Sequence, residues 1–245
     1  MKAFDLTGRK ALVTGAARGI GAAIAQALAA AGASVVIADV MEDNGRETAQ
    51  ALSATCAKAE FVRLDVTDEA SWVAAVEATV KSLGGFDLLV NNAGVEITAL
   101  VADIEAADLR RMLDVNVVGT ALGMKHAFRA MRSGGAAGKG GSIVNISSVA
   151  ATIAFPGIPG YSASKSAVDR LTRVGAMEAG KLGYGVRVNC IFPGLVPTVM
   201  GQKLAADVVA AGLFPSIEEA IGAVIAQTPL GRLGEVQDMA DAVVF

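Results

Sequence analysis

Histidine and cysteine are scarce in this sequence, and their scarcity excludes several kinds of site. The 245 residues include one histidine, His126, and two cysteines, Cys56 and Cys190. A single histidine rules out histidine-rich metal sites and argues against a Ser-His-Asp triad, so we assign His126 a structural role. The cysteines lie far apart without metal-ligand spacing, and we interpret them as reduced core residues of a cytosolic protein. We expect no bound metal.

Charge is also sparse and nearly balanced. Charged residues make up 18% of the chain and the formal net charge is −3, which gives no electrostatic reason to expect nucleic acid or an anionic membrane as a partner. Of the two uncharged runs, residues 19–38 are mostly Ala and Gly, and residues 140–164 contain Asn145, several serines and two prolines. Neither is a sustained apolar span, and the N-terminus has no apolar signal core. We therefore expect a soluble, cytoplasmic protein.

The sequence does contain a regular alternation of short apolar runs and helical stretches. Apolar runs predict strands at residues 10–14, 34–38, 61–64, 86–90, 142–146 and 186–191. Helical patterns follow at about 19–31, 42–54, 68–83, 105–132, 161–182, 198–228 and 235–245. Continuous apolar strands between helices are typical of a parallel sheet covered on both faces. The sequence predicts one α/β domain over residues 1–245, a Rossmann-type doubly wound sheet in three α/β/α layers, with residues 198–228 as a lid.

A glycine-rich turn follows the first predicted strand and opens the first helix. Gly15, Gly19 and Gly21 permit a tight turn and a close approach of the backbone. The start of the helix then offers free N–H groups and the positive end of a dipole to a pyrophosphate. A glycine triplet can also be a purely structural turn, but its place between a strand and a helix favours dinucleotide binding.

The choice of dinucleotide depends on Asp39, which ends the second strand, eighteen residues after Gly21. A carboxylate there can accept hydrogen bonds from both ribose hydroxyls of the adenosine, and it repels the 2′-phosphate of NADP. Arg18 is a counter-signal, because a guanidinium in the turn can meet that phosphate. We give Asp39 more weight, since it would occupy the phosphate's own position, and we predict NAD. Asp65 and Val66 end the third strand at the same edge, where the adenine is expected.

Tyr161 and Lys165 lie four residues apart at the start of a predicted helix, so both side chains share one face. A cation close to a phenol favours the phenolate, which predicts that the pKa of Tyr161 falls from about 10 towards neutrality. A tyrosine of this kind can act as a general acid or base. The spacing is common by chance, so the pair gains its weight from the residues upstream.

Together these residues resemble the short-chain dehydrogenase/reductase family, and the resemblance covers nearly the whole chain. Each motif is weak alone, but their order and spacing are highly specific. The motifs are Thr14-Gly15-x-x-x-Gly19-x-Gly21, Asp65-Val66, Asn91-Asn92-Ala93-Gly94, Asn116, Ser148, Tyr161-x-x-x-Lys165, and Pro193-Gly194 with Thr198.

The resemblance implies a role for each matching residue. It implies Tyr161 as the catalytic acid/base, Lys165 as the residue that lowers its pKa and binds the nicotinamide ribose, and Ser148 as the hydrogen-bonding partner of the substrate oxygen. Asn116 is implied to hold a water in a proton relay through Lys165, while Ser147 points away. The implied cofactor-binding residues are Gly15, Arg18, Gly19, Ile20, Gly21, Asp39, Asp65, Val66, Asn91, Ala93, Gly94, Tyr161, Lys165, Pro193, Gly194, Val196 and Thr198.

The end of the chain departs from the family pattern. Family members usually continue past the final helix into another strand, whereas this sequence stops at Phe245, so we expect that edge strand to be missing. The family also implies that the helices at 105–132 and 161–182 pair across a two-fold axis, giving a homodimer or homotetramer.

The combined prediction is an NAD(H)-dependent oxidoreductase that interconverts a secondary alcohol and a ketone. One alternative is an NADPH-dependent 3-oxoacyl-thioester reductase, which Asp39 disfavours. Another is a non-catalytic dinucleotide-binding scaffold, which has no need to keep Asn116, Ser148, Tyr161 and Lys165 together. Apolar residues in the lid favour a hydrophobic or alicyclic alcohol, steroid- or terpene-like, but the same residues can equally pack against each other.

Overall fold

The computed structural model describes residues 4–54 and 58–245, and Cys56 lies outside these residues. The strands are β1 (Lys10–Thr14), β2 (Ser34–Asp39), β3 (Ala59–Arg63), β4 (Leu88–Asn91), β5 (Gly141–Ile146) and β6 (Val186–Ile191). The helices are α1 (Gly19–Ala30), α2 (Glu42–Ser53), α3 (Glu69–Leu83), α4 (Ala106–Leu113), α5 (Gly119–Met131), α6 (Pro159–Lys181), α7 (Val199–Ala210), α8 (Ile217–Gln227) and α9 (Val236–Val244).

The strands form one sheet in the order β3-β2-β1-β4-β5-β6, and every neighbouring pair is parallel. Val13 of β1, for example, pairs with Ile37 of β2 on one side and Val90 of β4 on the other. The chain builds outward from β1 to β3 and then returns across β1 to begin β4. This reversal leaves a crevice beyond the carboxyl ends of β1 and β4, where sheets of this kind bind ligands. The predicted doubly wound fold is confirmed.

Apolar side chains cover both faces of the sheet, which explains the continuous apolar strands. On one face, Trp72 of α3 and Met131 of α5 pack with Leu12 and Leu89. On the other, Ile24 of α1 and Ala240 of α9 belong to a cluster that includes Val13, Val35 and Ile37. Strands buried on both sides show no polar alternation.

Four strands differ from their predicted limits: β2 and β5 are one residue longer than predicted, and β3 and β4 are displaced along the chain. The third strand begins at Ala59, not at residue 61, and the fourth is Leu88–Asn91, not 86–90. Leu64 and Phe86 are both buried, so their apolar character suggests strand residues, but they lie just outside the ladder. Burial extends the apolar pattern beyond the residues that pair.

The helix predicted over 105–132 is interrupted. A π-helical turn at Asp114–Val118 separates α4 from α5, and Asn116 lies within it. The Thr120 hydroxyl donates to the Asn116 carbonyl at 2.8 Å. Single π turns inside helices are frequent at functional sites. The predicted lid likewise divides into α7 and α8, separated by residues 211–216.

Among the described residues, no helix combines the length and the apolar character that crossing a membrane requires. Cys190 lies half-buried in β6 and is not in a disulfide. Burial raises the pKa of its thiol.

Candidate active site

A cavity of about 1620 Å³ opens at the carboxyl edge of the sheet, at the crevice between β1 and β4. Its walls come from the segments that follow β1, β2, β3, β4, β5 and β6, from the start of α6, and from α7 and α8. Sixteen of the seventeen predicted cofactor residues, including Tyr161 and Lys165, line this cavity. Only Asn91 among the seventeen is absent from the cavity lining.

The glycine turn forms one end of the cavity. Gly15 has φ +62°, and a Cβ built there would lie 2.7 Å from the Ala93 Cα. A Cβ at Gly21 would lie 2.3 Å from the Gly15 carbonyl oxygen. Helix α1 begins without a side-chain cap, so the N–H groups of its first turn are available to a ligand. A tight, glycine-only turn with free helix N–H groups on a cavity wall fits the pyrophosphate of a dinucleotide.

Asp39 is held in place at the end of β2. The Ala17 N–H donates to its Oδ2 and the Met41 N–H donates to its Oδ1, each at 3.0 Å. These bonds fix the carboxylate on the cavity wall and connect it to the glycine turn. Each carboxylate oxygen can accept more than one hydrogen bond, so acceptor sites remain for a ligand. Exposed Arg18 also lines the cavity.

The third strand supplies the next part of the wall through Asp65 and Val66. The hydroxyl of Thr67 donates to Asp65 Oδ1 at 2.7 Å and its N–H donates at 3.0 Å. These two bonds lower the pKa of the Asp65 carboxyl, so an anionic acceptor stands at this strand end. Val66 is buried beside it and presents an apolar surface.

Ser148, Tyr161 and Lys165 meet on the opposite part of the wall. Ser148 follows β5, and its hydroxyl accepts from the Ala150 N–H at 3.2 Å and donates to the Pro193 carbonyl at 3.4 Å. Tyr161 and Lys165 lie one turn apart at the start of α6, with the Lys165 Nζ 5.6 Å from the centre of the Tyr161 ring. Ser147 points into the protein and donates to the Lys165 carbonyl at 2.9 Å.

The pKa of Tyr161 differs from the expectation. Burial raises the pKa of its phenol to about 12, an effect that the Ser148 side chain opposes and the charge of Glu96 reinforces. Burial also lowers the pKa of Lys165 to about 8. The Lys165 ammonium donates to the Ile146 carbonyl at 2.7 Å. The prediction that Lys165 brings the Tyr161 pKa towards neutrality is therefore wrong for this structure, because desolvation of the buried phenol is the largest effect on its pKa.

Asn116 is fully buried and does not line the cavity. Its Nδ2 donates to the Val95 carbonyl and to the Ser164 hydroxyl, both at 2.9 Å, and its Oδ1 accepts from the Val95 N–H at 2.8 Å. The amide thus ties the loop after β4 to helix α6. A Cβ at Gly94 would lie 3.3 Å from Asn116 Oδ1 and 3.5 Å from Lys165 Nζ, so the two side chains approach each other there. The water-holding role of Asn116 stays a prediction.

Asn91 is the predicted cofactor residue that the structure places elsewhere. Its Nδ2 donates to the Asn145 Oδ1 at 2.8 Å beneath the sheet surface, where Asn145 in turn donates to the Thr172 hydroxyl at 2.9 Å. Its side chain does not line the cavity, and the place of Asn91 in the turn against the adenosine ribose stays a prediction. Asn92 lines the cavity instead, and its Nδ2 donates to the carbonyls of Thr14 and Gly15 at 3.0 Å. Two adjacent asparagines in the sequence gave no sign of which one faces inward.

The loop after β6 closes the cavity on the side of α7. Thr198 caps α7 by accepting from the Gly201 N–H at 3.3 Å, which leaves its hydroxyl proton free to donate. Val196 is buried under this cap. The predicted lid segment contributes mainly apolar side chains to the wall, namely Val199, Met200, Leu204, Val208 and Phe214.

Glu96 also lines the cavity, and sequence reasoning missed it. It is only 8% exposed, and burial raises the pKa of its carboxyl, opposed by the Thr98 hydroxyl and the charge of Lys203. Its signal in the sequence was an acidic residue in an otherwise uncharged stretch, two residues beyond Gly94 in the loop that follows β4.

The raised pKa predicts how Glu96 affects stability. The unfolded chain loses this proton near pH 4.3 while the folded chain keeps it to higher pH, so the stability contributed by Glu96 falls as pH rises above about 4.3. We therefore expect the melting temperature of Glu96→Gln, relative to that of the unmodified protein, to rise as the pH increases from about 4.3 to neutrality. Glu47→Gln, at an exposed position of α2, controls for the loss of one charge. Melting curves of the Glu96 variant that run parallel to those of the control would contradict this.

Comparison with known proteins gives consistent matches. A model of the short chain dehydrogenases matches residues 9–209. Trans-4-hydroxycyclohexanecarboxylate dehydrogenase of Sinomonas cyclohexanicum is 43% identical over 241 residues, covering 96% of this chain and 84% of that protein. The 3-alpha-(or 20-beta)-hydroxysteroid dehydrogenase of Mycobacterium tuberculosis is 38% identical, covering 98% and 82%. A putative short-chain alcohol dehydrogenase structure from Sinorhizobium meliloti 1021 has a TM-score of 0.86 at 35% identity, covering 99% and 90%.

Proposed function

The chain belongs to the short-chain dehydrogenase family, whose dehydrogenases use a nicotinamide dinucleotide, and we propose that it interconverts a secondary alcohol and a ketone with NAD(H). The observation that carries the proposal is the meeting of Ser148, Tyr161 and Lys165 on a cavity whose other end is the glycine turn of α1. The first group can handle a proton and an oxygen atom, and the second suits a pyrophosphate. The reaction requires both.

A nicotinamide dinucleotide held in this cavity would supply or accept the hydride, and the protein's own residues handle the proton. Ser148 holds the substrate oxygen by a hydrogen bond. A phenol with a pKa of about 12 is protonated at neutral pH, so Tyr161 is set to donate its proton to the oxygen during ketone reduction. In alcohol oxidation the phenol must first lose its own proton, and the resulting phenolate, which the Lys165 ammonium favours, then takes the proton of the substrate hydroxyl.

The substrate end of the cavity supports a hydrophobic alcohol. Helix α7 and the segment before α8 act as a lid of apolar side chains, and Ile153 and Phe155 line the cavity as well. The two relatives above are named for a hydroxylated cyclohexane ring and for hydroxysteroids, which are alicyclic secondary alcohols. We infer that this protein also takes a ring alcohol.

The test is a screen of alicyclic secondary alcohols with NAD, and of the matching ketones with NADH, followed by the absorbance of NADH. Turnover of a secondary alcohol or its ketone supports the proposal. Cofactor binding without turnover of any alcohol or ketone in either direction would favour the scaffold alternative.

The proposed homodimer or homotetramer predicts a measurable assembly. Apolar side chains are exposed along α6 and the turn before α5, with Met177 76%, Val174 47% and Val118 43% accessible. Exposed apolar faces of this kind favour association. We expect light scattering to show at least a dimer at micromolar concentration, and Met177→Asp to weaken it. A stable monomer would contradict the prediction.

A further inference from the structure

Glu96 stands out among the polar groups of the cavity because it has acceptor capacity that the protein does not use. Its Oε1 accepts from the Thr98 hydroxyl at 2.9 Å. Its Oε2 is buried and accepts no hydrogen bond from the described part of the chain. Buried polar groups are normally paired, since leaving one unpaired costs free energy. For such a group on the wall of a substrate cavity, we expect the missing hydrogen-bond partner to be a bound ligand.

The neighbouring charges do not supply the missing partner. Lys203 of α7 faces Glu96 electrostatically, but its ammonium forms an ion pair with Asp207 on the same helix. Asp207 adds a like charge that opposes the ionised form of Glu96. The carboxyl group therefore has one internal donor, the Thr98 hydroxyl, and no bonded cation among the described residues.

Glu96 also shares the cavity with the reacting group. Both Glu96 and Tyr161 line it, and the charge of Glu96 acts on the Tyr161 phenol. Around them the wall is apolar, with Ile153, Phe155 and Phe214. A substrate whose hydroxyl meets Tyr161 therefore presents another part of its skeleton to Glu96. In an apolar cavity, a few polar groups of this kind determine orientation and specificity.

We propose that Glu96 is a specificity residue that accepts a hydrogen bond from a second hydroxyl of the substrate, so that the preferred substrates are diols and, in the reverse direction, hydroxyketones. This inference rests on the proposed alcohol–ketone activity and names the substrate class of that site. A monoalcohol leaves the buried carboxyl unpaired, which penalises its binding. A substrate carrying a carboxylate meets a like charge and is disfavoured.

The experiment compares matched ring alcohols that differ in one group. Values of kcat/KM are measured with NAD for cyclohexanol, for the 1,2-, 1,3- and 1,4-cyclohexanediols, and for 4-hydroxycyclohexanecarboxylate. A hydrogen bond to a charged group corresponds to a preference of about 10- to 150-fold, which we expect for the best diol over cyclohexanol. Glu96→Gln should reduce that ratio by about tenfold and improve use of the carboxylate. Glu47→Gln should leave the ratio unchanged.

Glu96→Leu removes the acceptor altogether and should bring the kcat/KM ratio of the best diol to cyclohexanol close to one. If leucine impairs folding, the near-isosteric Glu96→Gln variant still tests the inference. The inference is overturned if the unmodified protein uses the best diol and cyclohexanol equally well, or if its preference for the diol is unchanged in both variants. Either result leaves the proposed alcohol–ketone activity standing. Absence of turnover with every alcohol refutes the proposed function instead. In that case calorimetry of diol binding to the NADH-loaded protein decides the inference: binding that Glu96→Gln weakens supports it, and equal or absent binding overturns it.

Discussion

Tyr161→Phe is expected to remove nearly all turnover while leaving NADH binding largely unchanged. The substitution deletes the hydroxyl that is proposed to exchange a proton with the substrate oxygen and keeps the ring that packs near Lys165. General acid–base contributions are about 10²- to 10⁴-fold, so we expect kcat to fall by a factor in that range. The measurements are steady-state kcat with a secondary alcohol and NADH affinity by fluorescence titration.

The chain offers a matched control, because its other tyrosine lies away from the cavity. Tyr184 packs against Phe128 with ring centres 5.5 Å apart and lies under the Arg132 guanidinium at 5.7 Å. Tyr184→Phe deletes the same atom and should leave kcat unchanged. A Tyr161→Phe protein that retains more than about a tenth of the original kcat would show that the acid/base is another group.

The fold was predictable because its determinants are local patterns repeated along the chain. Each strand is an apolar run, and each helix is marked by spacing, a cap or a glycine; Asp68 caps α3 at its start and Gly84 ends it with φ +69°. The strand limits were less predictable. Leu64 and Phe86 are buried beside the ladder without pairing in it, and hydrophobicity reports burial, not pairing.

The π turn at Asp114–Val118 was not predictable from helical spacing. It coincides with hydrogen bonds from Asn116 to Val95 and Ser164, residues 21 and 48 positions away in the chain. A helical periodicity describes one segment and carries no information about such distant partners. The motif therefore predicted a site role for Asn116, while its hydrogen bonds to two other segments became visible only in the tertiary structure.

The titratable groups of the site show the same limit of prediction from sequence. The spacing of Tyr161 and Lys165 predicted their proximity, but the direction of the Tyr161 pKa depends on how far the phenol is desolvated, which the fold determines. Glu96 was overlooked because one acidic residue after a strand is unremarkable until its burial and its unpaired oxygen are known. Sequence patterns thus identify residues that belong to a motif better than residues whose importance depends on their burial and neighbours in the fold.

Cofactor choice is expected to follow Asp39, with kcat/KM favouring NAD over NADP by on the order of 10²-fold or more, equivalent to about 2.7 kcal/mol. The carboxylate stands fixed at the end of β2 by the N–H groups of Ala17 and Met41. It can accept hydrogen bonds from both ribose hydroxyls of NAD, whereas the 2′-phosphate of NADP brings a charge of about −1.5 to −2 to the same place. Arg63, which pairs with Asp39 across the sheet, forms an ion pair with Glu42 at 3.5 Å, whereas Arg18 belongs to the glycine turn itself and lines the cavity.

Asp39→Ala removes the repulsion while leaving Arg18, so it should narrow or reverse the preference when both cofactors are compared by steady-state kinetics. Because Asp39 also holds the glycine turn, the alanine variant should lose some affinity for both cofactors; the ratio, not either constant alone, reports the charge. Adding Arg18→Ala should abolish the gain with NADP. Asp43→Ala, which deletes an exposed carboxylate in the first turn of α2, should leave the ratio unchanged. Equal or better use of NADP by the unmodified protein would contradict the assignment and favour the NADPH-dependent ketoreductase alternative, since a fixed carboxylate that tolerates a phosphate must be offset by a cation such as Arg18.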